Sequence, residues 1–364
     1  MNNKKEYRDT IAFHPGYYVA DIIDDMGISQ AEFAFRMGTN TKTLSNLVNG
    51  KANITNDLAK KLSVMMGTSS ELWLNLQKAY DEKLIDIQKQ QDFDEQKSIA
   101  KQIDYQFFVK NIDLPATRKI EEKIANLCEF FKISDLRFLS QPDFLVQYRT
   151  GVSHVDEKNA INSKAWIQTA LSIAMKNEIN EFNADILKSY INELRSMTVQ
   201  KPREFLPRMR EIFEESGVSF VLLPHLRNSG INGAVKWIND KRVVLAINDR
   251  RQYADTFWFS LFHEIRHVMQ QKITSTFISG SINDFIEYNE VLEKDADKYA
   301  ANILIPQAQL NAFNASKYTT DQEIIDFAKT IGIHPGIVAG RLQHEKIIPP
   351  NRCSELKEKY IFSY

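Results

Sequence analysis

Five consecutive residues, His263, Glu264, Ile265, Arg266 and His267, form an HExxH pattern inside an apolar run. On an α-helix, two histidines four positions apart project from the same face, so both imidazoles can reach one metal ion. Zinc held by two imidazoles and a carboxylate activates a water molecule, and a neighbouring glutamate can take its proton as the water attacks a carbonyl. The pattern therefore predicts a zinc site with His263 and His267 as ligands and Glu264 as the general base.

The residues before and within this pattern favour a helix. Apolar residues recur at intervals of four, four and three, which is the spacing of one helix face: Phe257, Leu261, Ile265 and Val268. The histidines fall on a different face. We therefore expect a helix that packs into a core and directs both histidines toward a metal ion.

A zinc site of this type needs a third protein ligand. Glu293 lies 26 positions after His267, in the next helical segment, and Asp297 follows one turn later. A carboxylate in that position can accept the second ring N–H of a zinc-bound histidine and fix its tautomer. We predict Glu293 as the third ligand and Asp297 as the supporting carboxylate. The alternative is that these acidic residues form the solvated face of an amphipathic helix.

The composition describes an ordinary globular protein. Of 364 residues, 43% are hydrophobic and 26% charged, and this length favours two or more domains. The formal net charge of −1 gives no general attraction to nucleic acid, so any DNA contact must come from a local surface. The two cysteines, Cys128 and Cys353, lie far apart and outside any CxxC pattern, so we expect reduced thiols. Without a signal-peptide pattern or a run of 18 apolar residues, we expect a cytoplasmic protein with no membrane association.

Residues 11–85 have the pattern of an all-helical unit. Gly27 ends a first helix, Ser29 can cap a second, and Gly38 ends the second. The third helix follows at once, and its apolar positions are predicted to face inward: Leu44, Leu47 and Val48. Two short helices joined by a Gly-containing turn match helix-turn-helix geometry, and the polar side chains left outside suit base edges and phosphates. A helical interaction module with a polar face would have the same periodicity.

Several stretches between His14 and Tyr80 resemble the HigA-like antitoxins of the XRE helix-turn-helix family: His14–Gly16, Gly27–Ala34, Asn49–Lys51, Ile54–Thr55, Leu58–Ala59 and Gly67–Gln77. The resemblance implies sequence-specific binding to operator DNA as a homodimer, with a toxin as a partner to be tested. It also implies a set of DNA-contact positions: Gln30, Asn40, Thr41, Lys42, Thr43 and Asn46. The third helix has no arginine, so we expect amides, Lys42 and DNA shape to contribute to specificity.

The composition of the sequence changes twice after this unit. From Asp81 to about Asp113 it is polar and rich in glutamine, without the Pro, Gly or Ser of a flexible linker, which predicts a semi-rigid helical connector. Helical blocks continue to residue 216, and β-branched runs then predict a small sheet in which 231–238 pairs with 243–247 across the Asn239-Asp240 turn. We expect the strand at 242–247 to be an edge strand that takes an extended substrate by β-augmentation.

The C-terminal part resembles the ImmA/IrrE family of metallopeptidases. The resemblance rests on Ala246-Ile247-Asn248, the Phe257–His267 segment and Glu293 through Pro306, and it covers roughly residues 217–345. It implies that Glu293 is the third metal ligand, in agreement with the spacing argument. The family usually has a small glycine before the second histidine, where this chain has Arg266, a bulky cation that could crowd or tune the site. Members of the family are known for cutting helix-turn-helix repressors.

We therefore predict a mainly α protein with a small C-terminal α+β domain. The predicted division is a helix-turn-helix domain at 11–85, a helical connector, scaffold and dimerisation region at 86–216, a zincin-like metallopeptidase domain at 217–345 and a tail at 346–364. One functional hypothesis is a DNA-binding regulator whose zinc endopeptidase domain, with Zn²⁺ or Mn²⁺, cleaves a protein substrate, either itself or another repressor. The second is a HigA-like antitoxin or repressor in which the zinc domain is a non-catalytic sensor or structural module.

Overall fold

The computed structural model describes residues 3–141, 157–176, 179–250, 252–270, 276–280 and 287–362. Two units, residues 1–97 and 98–364, each form most of their contacts internally. Helices dominate both units and strands form two small sheets, so the predicted mainly α class with a small C-terminal α+β part is confirmed. No helix in the described ranges combines the length and the apolar character that crossing a bilayer requires.

Unit 1 contains an antiparallel hairpin and a helical bundle. The hairpin is β1 (Lys4–Tyr7) paired with β2 (Thr10–Phe13). The helices are α1 (Gly16–Asp25), α2 (Gln30–Arg36), α3 (Thr41–Val48), α4 (Asn56–Met66) and α5 (Ser70–Gln102), and α5 continues past the division at residue 97. The predicted helix boundaries are confirmed: Ser29 caps α2, and Gly27 and Gly38 have φ of 63° and 65°. These positive values explain glycine at both helix ends.

The hairpin was not expected in a unit predicted to be all helical. Its strands have four residues each, too short to produce a convincing alternation in the sequence. Helix α5 stabilises it by packing and by a hydrogen bond. Ala12 packs with Tyr80 and Ile87, and the Tyr7 hydroxyl donates to Asp94 at 2.8 Å. The part of the polar connector in unit 1 is therefore a helix that supports the hairpin.

Unit 2 begins with the end of α5 and continues with helices that precede a four-stranded sheet. These helices are α6 (Tyr105–Asn111), α7 (Ile120–Phe131), α8 (Glu157–Ala174), α9 (Ala184–Ser189), α10 (Ile191–Ser196) and α11 (Pro202–Glu215), with 3₁₀ turns at Leu136–Ser140 and Met197–Val199. The strands are β3 (Val218–Leu223), β4 (Ile231–Trp237), β5 (Val243–Asn248) and β6 (Thr276–Gly280). The remaining helices are α12 (Ala254–Gln270), α13 (Glu287–Leu304), α14 (Gln307–Phe313), α15 (Asp321–Ile331) and α16 (Pro335–His344), with a 3₁₀ turn at Ser354–Leu356.

The strand order is β3-β5-β4-β6, with β3 parallel to β5 and the other pairs antiparallel. The predicted β4–β5 hairpin is confirmed, with Trp237 opposite Val243. The prediction that 242–247 is an edge strand is wrong, because β5 lies between β3 and β4. Local sequence patterns can indicate a hairpin, but they do not indicate that β3 pairs in parallel with β5, because β4 lies between them in the sequence. Among the described strands, β3 and β6 are the edges of this sheet.

The core of unit 2 contains the sheet together with helices that precede it and helices that follow it in the sequence. All six residues of β5 are buried, which requires cover on both faces, and α8 and α12 both contact this strand. Residues of α10 and α11 share one apolar cluster with β5, α12 and α16. The predicted division at 216/217 remains a prediction, since helices on both sides of it contribute to this cluster.

Candidate metal centre and helix-turn-helix surface

Helix α12 carries the HExxH residues on its buried side. Its apolar stripe packs in the core as predicted, with Phe257, Leu261, Ile265 and Val268 all buried. His263 is 5% exposed, and Glu264 and His267 are fully buried. Three polar side chains buried on one helix need partners of matching chemistry, because an uncompensated polar group in a core is costly.

Helix α13 supplies the third residue of the cluster. The Oε2 atom of Glu293 lies 3.1 Å from Nε2 of His263, and its Oε1 atom lies 3.2 Å from Nε2 of His267. The two Nε2 atoms are 3.0 Å apart. The structure thus brings together the three residues that the sequence nominated as metal ligands, and in the described ranges no other group of three His, Cys, Asp or Glu has this convergent geometry.

Each ligand histidine has an acceptor on its Nδ1 atom. Asp297 accepts from His263 at 2.9 Å, which is the supporting role predicted for it. Gln270, which the sequence analysis did not single out, lies with Oε1 2.8 Å from Nδ1 of His267. If both imidazoles were neutral with Nδ1 protonated, their Nε2 lone pairs would face each other, so a proton or a metal ion between them makes the arrangement favourable.

The electrostatics of the cluster favour such a charge. Burial lowers the pKa of His263, but the carboxylates of Asp297, Glu293 and Glu264 outweigh burial and raise the pKa to about 10. Burial raises the pKa of Glu293, whereas its contacts with His263 and His267 lower the pKa to about 2. The site therefore holds an ionised carboxylate and stabilises a cation between the imidazoles.

The donor set fits zinc. A tetrahedral zinc ion with ligand bonds of about 2.0 Å separates its ligand atoms by about 3.3 Å. The two Nε2 atoms are 3.0 Å apart, and each lies 3.1 or 3.2 Å from a different oxygen of Glu293, so the nitrogen–nitrogen separation and both nitrogen–oxygen contacts are close to that value. Two imidazole nitrogens and one carboxylate oxygen also form the ligand set of catalytic zinc sites, which keep a fourth position open.

Glu264 lies against strand β4 at Gly233. A Cβ atom added at Gly233 would be 2.7 Å from Oε1, 2.9 Å from Cγ and 3.0 Å from Cδ of Glu264. The β4–β6 register shifts between Ile231 and Gly233, and Asn248 of β5 donates to the Ile231 carbonyl at 2.6 Å beside this irregularity. Glycine at 233 leaves the room that the carboxylate of Glu264 occupies.

Arg266 does not crowd the ligands. Its Nε atom donates to Asp295 at 2.7 Å, and its guanidinium lies 5.4 Å from the centre of the Tyr299 ring. Both partners are on α13. Arg266 therefore links α12 to α13, the helix that carries Glu293.

The second candidate surface is formed by α2 and α3 of unit 1. As predicted, Leu44, Leu47 and Val48 are buried in the unit's core. The nominated DNA-contact residues remain outside that core, Gln30, Asn40, Thr41 and Lys42 exposed and Thr43 and Asn46 half-buried. Asn40 also caps α3, since its side chain accepts from the Thr43 amide at 2.7 Å. Its side-chain oxygen thus has a structural role at the start of α3.

Comparison with known proteins matches both candidate sites to families. Residues 19–73 match the helix-turn-helix model. Of its relatives, the uncharacterised HTH-type transcriptional regulator YddM of Escherichia coli is 39% identical over 79 residues, which are 21% of this chain and 84% of that protein. The chain belongs to the helix-turn-helix family.

Two other helix-turn-helix relatives have more specific descriptions. Antitoxin HigA-1 of Vibrio cholerae is 39% identical over 61 residues, and the match covers 17% of this chain and 57% of HigA-1, so the chain spans little more than half of that relative. The structure of PA4674 from Pseudomonas aeruginosa, in complex with its operator DNA, is 28% identical, with a TM-score of 0.20, and the match covers 20% of this chain and 82% of PA4674.

Residues 214–343 match the IrrE N-terminal-like domain. This range contains the complete His263, His267 and Glu293 cluster together with Glu264, so the candidate metal centre lies within the matched domain. It also contains the residues that sequence reasoning missed. Gln270 had a local signal, because it lies three positions after His267 on the same helix face. Gly233 had none, since only the fold places it against Glu264.

Proposed function

We propose that this protein is a DNA-binding transcription regulator whose IrrE N-terminal-like domain is a zinc-dependent endopeptidase. The observation that carries the proposal is the convergence of His263, His267 and Glu293 beside the buried carboxylate of Glu264. A purely structural zinc site fills its fourth position with protein and needs no such glutamate. The substrate class is a protein, either this chain itself or another repressor, and its cleavage would relieve repression.

The chain's own residues divide the work of hydrolysis. Zinc, when bound, would polarise the scissile carbonyl and activate water. Glu264 would accept the proton of the attacking water and pass it to the leaving amine, a role for which it is held against Gly233. Asp297 and Gln270 hold the Nδ1 protons of the two histidines and so keep both Nε2 atoms directed at the metal.

Strand β6 is the candidate for binding an extended substrate. Among the strands that the structure describes, β6 pairs with β4 alone, and Ser279 of β6 lies opposite Gly233, the residue against which Glu264 packs. A free strand edge presents backbone donors and acceptors that can add another strand. We propose that the substrate binds along this edge, in place of the strand at 242–247 that the sequence suggested.

Unit 1 would supply operator binding. Lys42 and Asn46 lie on α3, outside the buried face formed by Leu44, Leu47 and Val48. A lysine and an amide on the exposed face of a recognition helix suit phosphates and base edges. We propose that a homodimer places two such helices on operator half-sites, and that the protein acts in the cytoplasm, where such operators lie.

The second candidate function is a HigA-like antitoxin or repressor whose metal centre is a non-catalytic sensor or structural module. The similarity of unit 1 to antitoxin HigA-1 favours it, and it predicts a toxin partner. It differs from the first candidate in one measurable respect, since the Glu264 carboxylate would have no chemical role.

One experiment separates the two functions. Wild type and Glu264→Gln are loaded with zinc or manganese, metal content is measured, and both are incubated with and without operator DNA and cell extract before fragments are mapped by intact mass. Fragments formed by the wild type alone, at equal metal content, would support the endopeptidase. Identical fragments from both proteins, or none under any condition, would leave the non-catalytic regulator as the better account.

A further inference from the structure

His267 and its acceptor Gln270 lie at the centre of a chain of hydrogen bonds between α12 and α13. The side-chain amide of Gln270 has three partners: its Oε1 lies 2.8 Å from Nδ1 of His267, and its Nε2 donates to Asp295 Oδ2 at 2.9 Å and to the Leu292 carbonyl at 3.2 Å. Asp295 in turn accepts from Arg266 at 2.7 Å.

The two partners on α13 fix the orientation of this amide. A carboxylate and a backbone carbonyl can only accept hydrogen bonds, so the NH₂ group of Gln270 must face Asp295 and Leu292. The opposite orientation would place Oε1 against two acceptors and lose both hydrogen bonds. Oε1 must therefore face His267, and Nδ1 of His267 must carry the proton, because only a donor is compatible with that oxygen.

From this geometry we infer that Gln270 is a positioning residue for metal binding, which selects the His267 tautomer whose Nε2 lone pair faces the metal. Arg266 and Asp295 extend this hydrogen-bonded chain and fix the orientation of Gln270. The guanidinium holds Asp295, Asp295 holds the amide, and the amide holds the imidazole. Arg266, which stands where the family usually has a small glycine, thereby helps to position His267.

The inference predicts a specific loss of zinc affinity. A neutral imidazole without a directing acceptor divides its population between two tautomers, and removal of such a supporting hydrogen bond typically lowers metal affinity about 10- to 100-fold. Gln270→Leu removes the acceptor and is expected to lower zinc affinity by that factor. Gln322→Leu is the matched control, because Gln322 is an exposed helical glutamine whose side chain donates to Asp326 in the following turn and is not part of the His263, His267 and Glu293 cluster.

A swapped pair provides the rescue. In Gln270→Glu with Asp295→Asn, the new carboxylate at 270 can accept from His267 and from the new amide at 295. The amide nitrogen at 295 then takes the place of Asp295 Oδ2, the atom that accepts from both Gln270 and Arg266 in the wild type. Of the hydrogen bonds described above, the swap keeps the acceptor on Nδ1 of His267 and removes those to the Leu292 carbonyl and from Arg266. We expect the double variant to bind zinc within about threefold of the wild type, because a carboxylate acceptor also raises the basicity of the imidazole.

The inference rests on the proposed zinc site, and the experiment distinguishes the two. Full-length wild type, Gln270→Leu, the swapped pair and Gln322→Leu are titrated with ZnCl₂ against a chromophoric chelator, and ¹⁵N-histidine spectra of the metal-free proteins report the protonated nitrogen of His267. Weaker binding and mixed tautomers in Gln270→Leu, restored in the swapped pair, would support it. Wild-type affinity with a single Nδ1–H tautomer in Gln270→Leu would overturn it while the zinc site stands. Failure of the wild type to bind zinc would overturn both.

If Gln270→Leu does not fold, which its circular dichroism would show, the swapped pair decides the question by itself. An Nδ1–H tautomer of His267 and near wild-type zinc affinity in that variant support the inference. A folded swapped pair that binds zinc more than 10-fold more weakly overturns it, since the acceptor on Nδ1 of His267, which the inference requires, is then present.

Discussion

Gly233→Ala tests whether the fold, and not only the HExxH spacing, sets the position of the general base. The added Cβ atom would lie 2.7 Å from Oε1 of Glu264, where ordinary van der Waals contact begins at 3.4 Å. The carboxylate must therefore retreat by about 0.7 Å, the difference between these two distances. A misplacement of about 1 Å in an active site can cost about 100-fold in rate.

The same substitution should leave the protein stable and loaded with zinc. The nearest atom to the new methyl group is the end of a flexible side chain, so Glu264 can move without a shift of the backbone. Alanine in a strand also restricts the unfolded chain more than glycine does, which offsets part of any strain, and the net change in the free energy of unfolding should stay within about 1 kcal/mol. None of the three ligand atoms is among the nearest neighbours of the added Cβ.

The assay compares initial rates of fragment formation, zinc content and melting temperature for wild type and Gly233→Ala. We expect about a 100-fold slower cleavage with zinc content unchanged. In the Glu264→Gln background the alanine should have no further effect on the rate, because the group that it displaces no longer acts as a base. A wild-type rate in Gly233→Ala, or a loss of zinc, would show that Glu264 does not depend on this space.

Three other expected outcomes address the metal and the DNA. His263→Ala and Glu293→Ala should each lower zinc content, whereas Glu264→Gln should keep zinc and lose about 100- to 10,000-fold in hydrolysis; unchanged stoichiometry in both ligand variants would remove the assignment. Because the surrounding carboxylates raise the pKa of His263 above neutrality, the metal-free imidazole is protonated at pH 7, so zinc binding should release about one proton and weaken as the pH falls. Calorimetry in buffers of different ionisation enthalpy measures this release, and its absence would contradict the protonated state. Lys42→Ala with Asn46→Ala should abolish operator-specific mobility shifts at unchanged helical content and zinc content, and binding that ignores salt would argue against DNA recognition by α3.

The sequence predicted those parts of the site that depend on spacing along one helix. His263 and His267 share a face of α12, and Glu293 and Asp297 share a face of α13, because residues four positions apart on a helix point the same way. That the two faces meet was expected from the need for a third ligand and from the family resemblance, and helix geometry alone does not dictate it. Helix ends marked by Gly27 and Ser29 were equally local signals and are confirmed.

The parts that could not be predicted depend on contacts between elements distant in the chain. The edge-strand prediction is wrong because β3 joins β5 in a parallel pair, and the apolar runs of a buried strand and an edge strand look alike. The meeting of Gly233 with Glu264 likewise follows from the register of β4 and the packing of α12. The effect of Arg266 could be judged only once Asp295 was found beside it.

The helical state of α5 changes where self-cleavage is expected. Peptidases bind extended backbone, and the polar connector predicted from Asp81 to Asp113 is helical through residue 102, with the hairpin bonded to it at Asp94. Cutting within α5 would require that helix to open first, whereas residues 112–119 are already non-helical and largely at the surface. If the chain cleaves itself, intact-mass mapping should therefore place fragment ends between 112 and 119. Such a cut falls inside unit 2 and would break the covalent link between unit 1 and residues 120–364. If dimerisation depends on residues 120–364, each N-terminal fragment that dissociates would hold one half-site and lose the affinity that linkage provides. Wild-type fragments that end inside α5 would show that the helix opens before cleavage and that accessibility in the folded state does not select the bond.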